Sequence, residues 1–234
     1  MKTIGLLGGM SWESTALYYR IINEAVKRRL GGLHSAPMIL SSVDFHFIEQ
    51  LQREARWNEA GRVLAGQAQA VERAGADLLV LCTNTMHKVA DAIQKAISIP
   101  LLHVADTTAG AITRAGLSRV GLLGTRFTME QDFYVGRLRE HGLDVITPDA
   151  AGRDLVHRVI YDELCLGRVV PESREGYREV IAALVGRGAR GIVLGCTEIT
   201  MLVGPEDCGV PTFDTTELHA LAAVDMALAM ASKT

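Results

Sequence analysis

The chain alternates short apolar runs with longer amphipathic stretches. Ile4–Leu7, Leu78–Leu81, Val120–Leu123 and Ile192–Leu194 are brief, apolar and bounded by glycine or polar residues. Such runs mark strands buried on both faces of a parallel sheet. Between them apolar residues recur at helical spacing. Leu17, Ile21 and Ala25 with Ile22 and Val26 form one stripe, and Val180, Ala183 and Leu184 within Arg174–Val185 form another. Ser11 or Ser14 is placed to cap the first. Strands and helices in alternation predict an α/β fold with parallel sheets.

The pattern occurs twice. Ile4-Gly5-Leu6-Leu7-Gly8 returns as Val120-Gly121-Leu122-Leu123-Gly124, an offset of 116 that also carries Tyr18 onto Tyr134. Gly75-Ala76 and Leu79-Val80-Leu81 return as Gly188-Ala189 and Ile192-Val193-Leu194, an offset of 113. Ile99-Pro100 returns as Val210-Pro211, an offset of 111. Matches in one order with slowly drifting offsets indicate an internal duplication. The expected architecture is two pseudo-symmetric lobes, each a short parallel sheet flanked by helices. Residues 1–106 with about 211–234 form the first lobe and 107–210 the second, and the active site is expected between them. The chain crosses over within Asp106–Ser118 and returns near Pro211.

Composition narrows the function classes. A net charge of -3 with no basic patch argues against a nucleic-acid partner. No apolar run approaches the roughly 18 residues that would argue for a membrane span, and the apolar stretch after Met1 is too short for a signal peptide. The expected location is the cytoplasm. The four cysteines, Cys82, Cys165, Cys196 and Cys208, include no CxxC pair, so no metal site is expected.

Candidate chemistry lies just past the strands, where open α/β sheets bind ligands. Gly8-Gly9-Met10-Ser11-Trp12 follows the first strand, and Gly124-Thr125-Arg126-Phe127-Thr128 follows its repeat. Cys82-Thr83-Asn84-Thr85-Met86-His87 follows Leu81, and Gly195-Cys196-Thr197-Glu198 follows Leu194. The offset of 113 sets Thr83, not Cys82, opposite Cys196. Gly8-Gly9 lacks a full dinucleotide fingerprint. Thr125 and Thr128 have two readings, as ligand donors or as a helix cap. Cys82 alternates away from Thr83 and reads as packing. Cys165, Cys208, His103 and His219 read as structural, and Trp12 and Trp57 as packing anchors.

Gly8-Gly9-Met10 in a Gly-Gly-Met-Ser-Trp-Glu-Ser start, Asn84-Thr85 with His87, Gly124-Thr125 with Thr128, Gly195-Cys196-Thr197-Glu198 and Asp214-Thr215-Thr216 together resemble the aspartate/glutamate racemase family, in its aspartate racemase-like branch. The resemblance runs through the whole chain. It implies two related α/β lobes, a homodimer, and racemisation of an amino acid with no pyridoxal phosphate or other cofactor. One group removes the α-proton and another supplies a proton to the opposite face. The family's second thiol maps onto Cys196, and Thr83 stands where the first would be. Met10, Asn84, Thr85, Thr125, Thr128, Thr197 and Glu198 are the candidate substrate-binding residues at the strand-to-helix turns, with Glu198 orienting the ammonium or merely starting a helix, and Gln52, Arg53 or Arg168 is placed to compensate for a missing cation.

Three departures shape the expected chemistry. A threonine hydroxyl is a far weaker acid than a thiol, so Thr83 needs a partner such as water or His87, or turnover is fast from one enantiomer only, or the reaction is one-sided through Cys196. The loop Val43–Glu49 carries no arginine, and Cys165 occupies a lysine's place, which favours a small neutral or hydroxylated substrate such as homoserine beside aspartate and glutamate. A helix N-terminus after Leu194 would favour Cys196 as thiolate. The competing readings are a Cys196-dependent isomerase or decarboxylase of small dicarboxylic acids, a non-catalytic amino-acid-binding protein, and a pyridoxal phosphate enzyme using Lys88.

Overall fold

The computed structural model describes residues 1–231. In chain order the first part runs β1 (Ile4–Gly8), α1 (Trp12–Leu30), β2 (Met38–Ser42), α2 (Phe45–Arg53), α3 (Trp57–Arg73), β3 (Leu78–Leu81), α4 (Ala90–Ala96) and β4 (Leu101–Leu102). The second runs α5 (Val104–Arg114), β5 (Arg119–Gly124), α6 (Arg126–Glu130), α7 (Asp132–Glu140), β6 (Asp144–Ile146), α8 (Ala150–Asp162), α9 (Pro171–Gly186), β7 (Ile192–Gly195), β8 (Thr212–Asp214) and α10 (Thr215–Ala231). The strands form two four-stranded parallel sheets with one shared order, β2-β1-β3-β4 and β6-β5-β7-β8. The duplication is thus structural. Each lobe is an α/β unit with helices flanking a parallel sheet.

Contacts divide the chain into Met1–Val104 with the residues from His219 on, and Ala105–Leu218. The return differs from the expected Pro211. Thr212–Asp214 pairs with β7 (Ile192 with Thr212, Leu194 with Asp214), so this segment completes the second sheet. Of the tail expected in the first lobe, residues 232–234 lie outside the described residues.

In the first unit β1 and β3 are fully buried, and the sheet has a core on each face. On one, Ile4, Leu6, Leu78 and Val80 pack with Tyr18, Ile22 and Val26 of α1 and Ala220, Ala223, Val224 and Ala227 of α10. On the other, Leu7, Leu79 and Leu81 pack with Ile48 and Leu51 of α2, Leu64 and Ala68 of α3, and Ile93 of α4. Burial of each such aliphatic side chain contributes roughly 1.5–3 kcal/mol. Gly5 allows the sheet to meet α3 closely, because a Cβ there would strike the Val71 side chain.

In the second unit Leu123, Ile192 and Leu194 pack with Val156 and Ile160 of α8 and Tyr177, Ile181 and Leu184 of α9. Two expectations fail in the first unit. Residues 45–49 are not loop but the start of α2, because Asp44 caps it by accepting from the His46 N–H (3.1 Å). Trp12 is not a packing anchor. It sits at the first position of α1, pointing outward, and is 68% exposed.

Candidate functional site

The first unit presents its polar residues where β1 and β3 end. Gly9 turns the chain with φ +89, a conformation that would strain any L side chain. A Cβ at Gly9 would also collide with the Val43 backbone. The turn is closed by Thr15, whose Oγ1 accepts from the Gly9 N–H (2.8 Å) and donates to the Ser11 carbonyl (2.9 Å). Ser11 caps α1 by accepting from the Ser14 N–H (3.2 Å), and Ser14 Oγ donates to the Cys82 carbonyl (3.1 Å). Ser14 thereby fastens the β1 turn to the end of β3. Met10 lies in the apolar cluster with Leu7, Ile48 and Leu51.

Beyond β3, Thr83, Asn84 and Thr85 are buried, and the chain tightens into a 3-10 turn over Thr85–Val89. Gln52 is buried on α2, and its Nε2 donates to Met86 Sδ (2.9 Å), which ties α2 to this turn. Cys82 is fully buried among Ile4, Leu6 and Val80. Burial pushes its thiol far above the usual range, as befits a packing residue.

His87 sits under the turn with both ring nitrogens engaged. Nδ1 lies 2.7 Å from the Thr83 carbonyl oxygen, and Nε2 accepts from the Val104 N–H at 3.2 Å. The pattern fixes the Nδ1–H tautomer. Burial, reinforced by His103 and His219, holds the ring well below its usual pKa and so neutral. His87 therefore cannot take or supply a proton for Thr83, as one expectation had it. It braces the Thr83 backbone instead. His219 is similarly committed, with Nδ1 2.9 Å from Tyr18 Oη and Nε2 2.8 Å from the Leu102 carbonyl.

The second unit repeats the plan with different residues. Thr125 caps α6, accepting from the Thr128 N–H (3.3 Å), and the two hydroxyls stand 3.1 Å apart. Thr128 lies on the strand ends: a Cβ at Gly124 would come within 3.1 Å of its Cβ, and one at Gly195 within 3.4 Å of its Cγ2. Bare glycine at both strand ends leaves room for this threonine, as Gly8 does for Thr15 in the first unit. The cap reading of Thr125 is realised.

Cys196 follows β7 in extended backbone, and a 3-10 turn over Thr197–Met201 comes next. Its thiol donates to Glu198 Oε2 (2.9 Å), and Thr197 Oγ1 donates to the same oxygen (2.6 Å). Glu198 thus faces the thiol rather than standing free for an ammonium group. Burial first, then the Glu198 carboxylate, then nearby Cys165, raises the Cys196 pKa well above that of an ordinary thiol. The expected thiolate is overturned. Only a short 3-10 turn lies ahead of the sulfur, and a carboxylate sits against it. Cys165, in the 3-10 turn Leu164–Leu166, packs on the same core as Cys196. Sequence reasoning reads it as structural and as standing in a lysine's place, and misses this proximity, since 31 positions separate the two thiols. Lys88 lies over the Trp57 ring, 4.0 Å from its centroid.

The model of the Asp/Glu/hydantoin racemase family matches residues 7–223. The chain belongs to that family. Its members are racemases, which are isomerases. A candidate Asp/Glu racemase from Yersinia pestis is 58% identical, with a TM-score of 0.93 over 97% of this chain and 100% of that one. An aspartate racemase homologue from Pyrococcus horikoshii is 33% identical, with a TM-score of 0.85 over 97% of this chain and 100% of that one. The broad specificity amino-acid racemase RacX of Bacillus subtilis is 28% identical over 149 residues, a match that spans 62% of this chain and 64% of RacX. Among the described residues, no group of three His, Cys, Asp or Glu side chains could hold a metal ion, and no helix is long and apolar enough to cross a membrane.

Proposed function

We propose that this chain is a cytoplasmic, pyridoxal phosphate-independent amino-acid racemase in which Cys196 and Thr83 serve opposite faces of one Cα. The reading is supported by family membership and by the register of the repeat, which gives the two residues equivalent places after β3 and β7. The observation that carries it is the Cys196 thiol on the Glu198 carboxylate, since a nucleophile or base paired with its own proton acceptor is a working acid/base unit.

The thiol is protonated at rest, so the first step passes its proton to Glu198 Oε2. The thiolate then removes the α-proton of the enantiomer that presents it, and the electron pair moves onto the substrate carboxylate as an enediolate. Thr83 Oγ1–H returns a proton to the opposite face. Solvent water carries the proton on Glu198 back to the Thr83 oxygen, which closes the cycle. Asn84, Thr85, Thr125, Thr128 and Thr197 are the proposed donors to the α-carboxylate, with Gln52 and Met10 shaping the side-chain end. Hydrogen bonds aimed at developing charge supply most of such catalysis.

Both enantiomers are equally stable, so kcat/KM must be equal in the two directions. An unequal acid/base pair therefore shows itself as kcat and KM changing together, not as a one-way reaction. The side-chain end offers Cys165, in place of a lysine, on the same core as Cys196. This supports small uncharged or hydroxylated substrates such as homoserine, alongside aspartate and glutamate.

Proton NMR in heavy water, with chiral chromatography, tests the proposal on L-aspartate, L-glutamate, L-homoserine and L-methionine. The α-proton signal is expected to disappear as the D-form grows, with no added cofactor, and Cys196→Ala should abolish both. Racemisation at the wild-type rate by Cys196→Ala would sink the mechanism.

A further inference from the structure

Three histidines meet inside the first unit, each from a different stretch of chain. His87 lies in the turn after β3, His103 between β4 and α5, and His219 in α10. All three are buried. The centroid of the His87 ring is 4.5 Å from that of His103 and 5.6 Å from that of His219. The proposed reaction uses none of them. Buried polar groups nevertheless require partners, and those of His87 and His219 lie at two particular places in the chain.

The chain leaves the first unit after Val104 and returns to it at His219. His219 Nε2 lies 2.8 Å from the Leu102 carbonyl oxygen, so that nitrogen carries the hydrogen and donates. Tyr18 Oη therefore donates to His219 Nδ1 (2.9 Å). Two residues beyond Leu102, the Val104 N–H donates to His87 Nε2 (3.2 Å), and His87 Nδ1 donates to the Thr83 carbonyl (2.7 Å). Residues 102–104, the departing segment, are pinned at one end by the residue at which the chain returns. At the other end they are pinned by the residue that holds Thr83. Thr83 lies two residues past the end of the β1–β3 pairing at Leu81, so the bond from His87 to its carbonyl governs how its side chain is presented.

We propose that His219 and Tyr18 are positioning residues for Thr83, acting through residues 102–104 and His87. A displacement of about 1 Å at a reacting group costs on the order of 100-fold in rate. Loss of the His219 bonds is therefore felt at Thr83 and not at Cys196, which follows β7 in the second unit. The inference rests on the acid/base role proposed for Thr83.

The test uses the full chain in heavy water, with each pure enantiomer of the amino acid it racemises fastest. His219→Phe keeps a planar ring but removes both bonds. It is expected to slow racemisation roughly 10- to 100-fold with KM little changed. From the enantiomer whose α-proton faces Cys196, deuterium should still enter without inversion at near the wild-type rate, because that exchange needs only Cys196 and Glu198. Tyr18→Phe, a milder change, should give the same pattern at smaller amplitude. His219→Gln, which offers both a donor and an acceptor, should restore racemisation. His34→Gln, at an exposed histidine outside the cluster, should change nothing. Independently of activity, amide hydrogen exchange over residues 82–89, followed by mass spectrometry, should be roughly tenfold faster in His219→Phe. Racemisation and deuterium entry falling together, or unchanged amide exchange at 82–89, would overturn the proposal. A wild type that racemises nothing fails the catalytic reading instead, and the amide exchange then decides whether His219 reaches Thr83.

Discussion

The Cys196 thiol and the Glu198 carboxylate share a hydrogen bond of 2.9 Å across a single intervening residue. The carboxylate both accepts the thiol proton and, by its charge, keeps that proton in place. Glu198→Gln keeps an acceptor but removes the charge, so the thiol pKa should fall. Alkylation of Cys196 by iodoacetamide as a function of pH is expected to show a midpoint at lower pH than in the wild type. With the proton acceptor gone, kcat should drop about 10²- to 10⁴-fold. An unmoved alkylation midpoint would mean that Glu198 does not govern the thiol.

Thr83 is the weak member of the proposed pair. Replacing it with cysteine supplies an acid several pKa units stronger. Thr83→Cys is expected to raise kcat and to bring the kcat values for the two enantiomers closer together. Initial rates from each pure enantiomer check this, and unchanged rates in both directions would remove Thr83 from the reaction.

His87 is buried neutral, and this ties stability to acid. Its folded pKa lies well below 6.5, so under mildly acidic conditions the unfolded chain binds a proton that the folded one refuses. The resulting stability is present above the unfolded pKa and is lost as pH falls below about 6.5, by up to about 1.4 kcal/mol per pH unit. His87→Gln should lower Tm at pH 7.5 through its lost backbone bonds. The same variant should show a shallower decline of Tm between about pH 6.5 and 5. Scanning calorimetry across that range provides the comparison.

Asp207 clasps two arginines. It accepts from Arg174 Nη2 (2.8 Å) and Arg178 Nε (2.7 Å), as well as from the Gly204 N–H (2.9 Å). Those bonds, led by that from Arg174, hold its carboxyl down to about 2. This contribution is complete above about pH 4 and disappears as pH falls through about 2. Asp207→Ala is expected to cost about 1–3 kcal/mol and to lower Tm by several degrees at neutral pH. The gap from the wild type should narrow in strong acid.

Central strands β1, β3, β5 and β7 are legible in the chain because burial on both faces writes them as unbroken apolar runs. Their neighbours β2, β4, β6 and β8 are two to five residues long and partly exposed, too short for a period to declare itself. The return at His219 is hidden for the same reason, since only the pairing of Thr212–Asp214 shows which sheet that segment joins. Helix α2 was in principle readable from the Asp44 cap and the spacing of Ile48, Leu51 and Gln52. At the candidate site, residue types and strand-end positions can be read directly. The direction of the Glu198 side chain, the two backbone bonds of His87 and the nearness of Cys165 to Cys196 cannot, because each depends on rotamers and on long-range packing.

Helix α10 begins in the second unit, yet Ala220, Ala223, Val224 and Ala227 complete the core around Ile4 and Leu6, and the Lys2 N–H donates to the Ala227 carbonyl at 3.0 Å. During synthesis residues 105–214 therefore leave the ribosome before the helix that closes the first core. The unit made second is free to fold first. Until those final residues emerge, α1 alone covers that face of the nascent first sheet, and chaperone binding or premature aggregation would concentrate there.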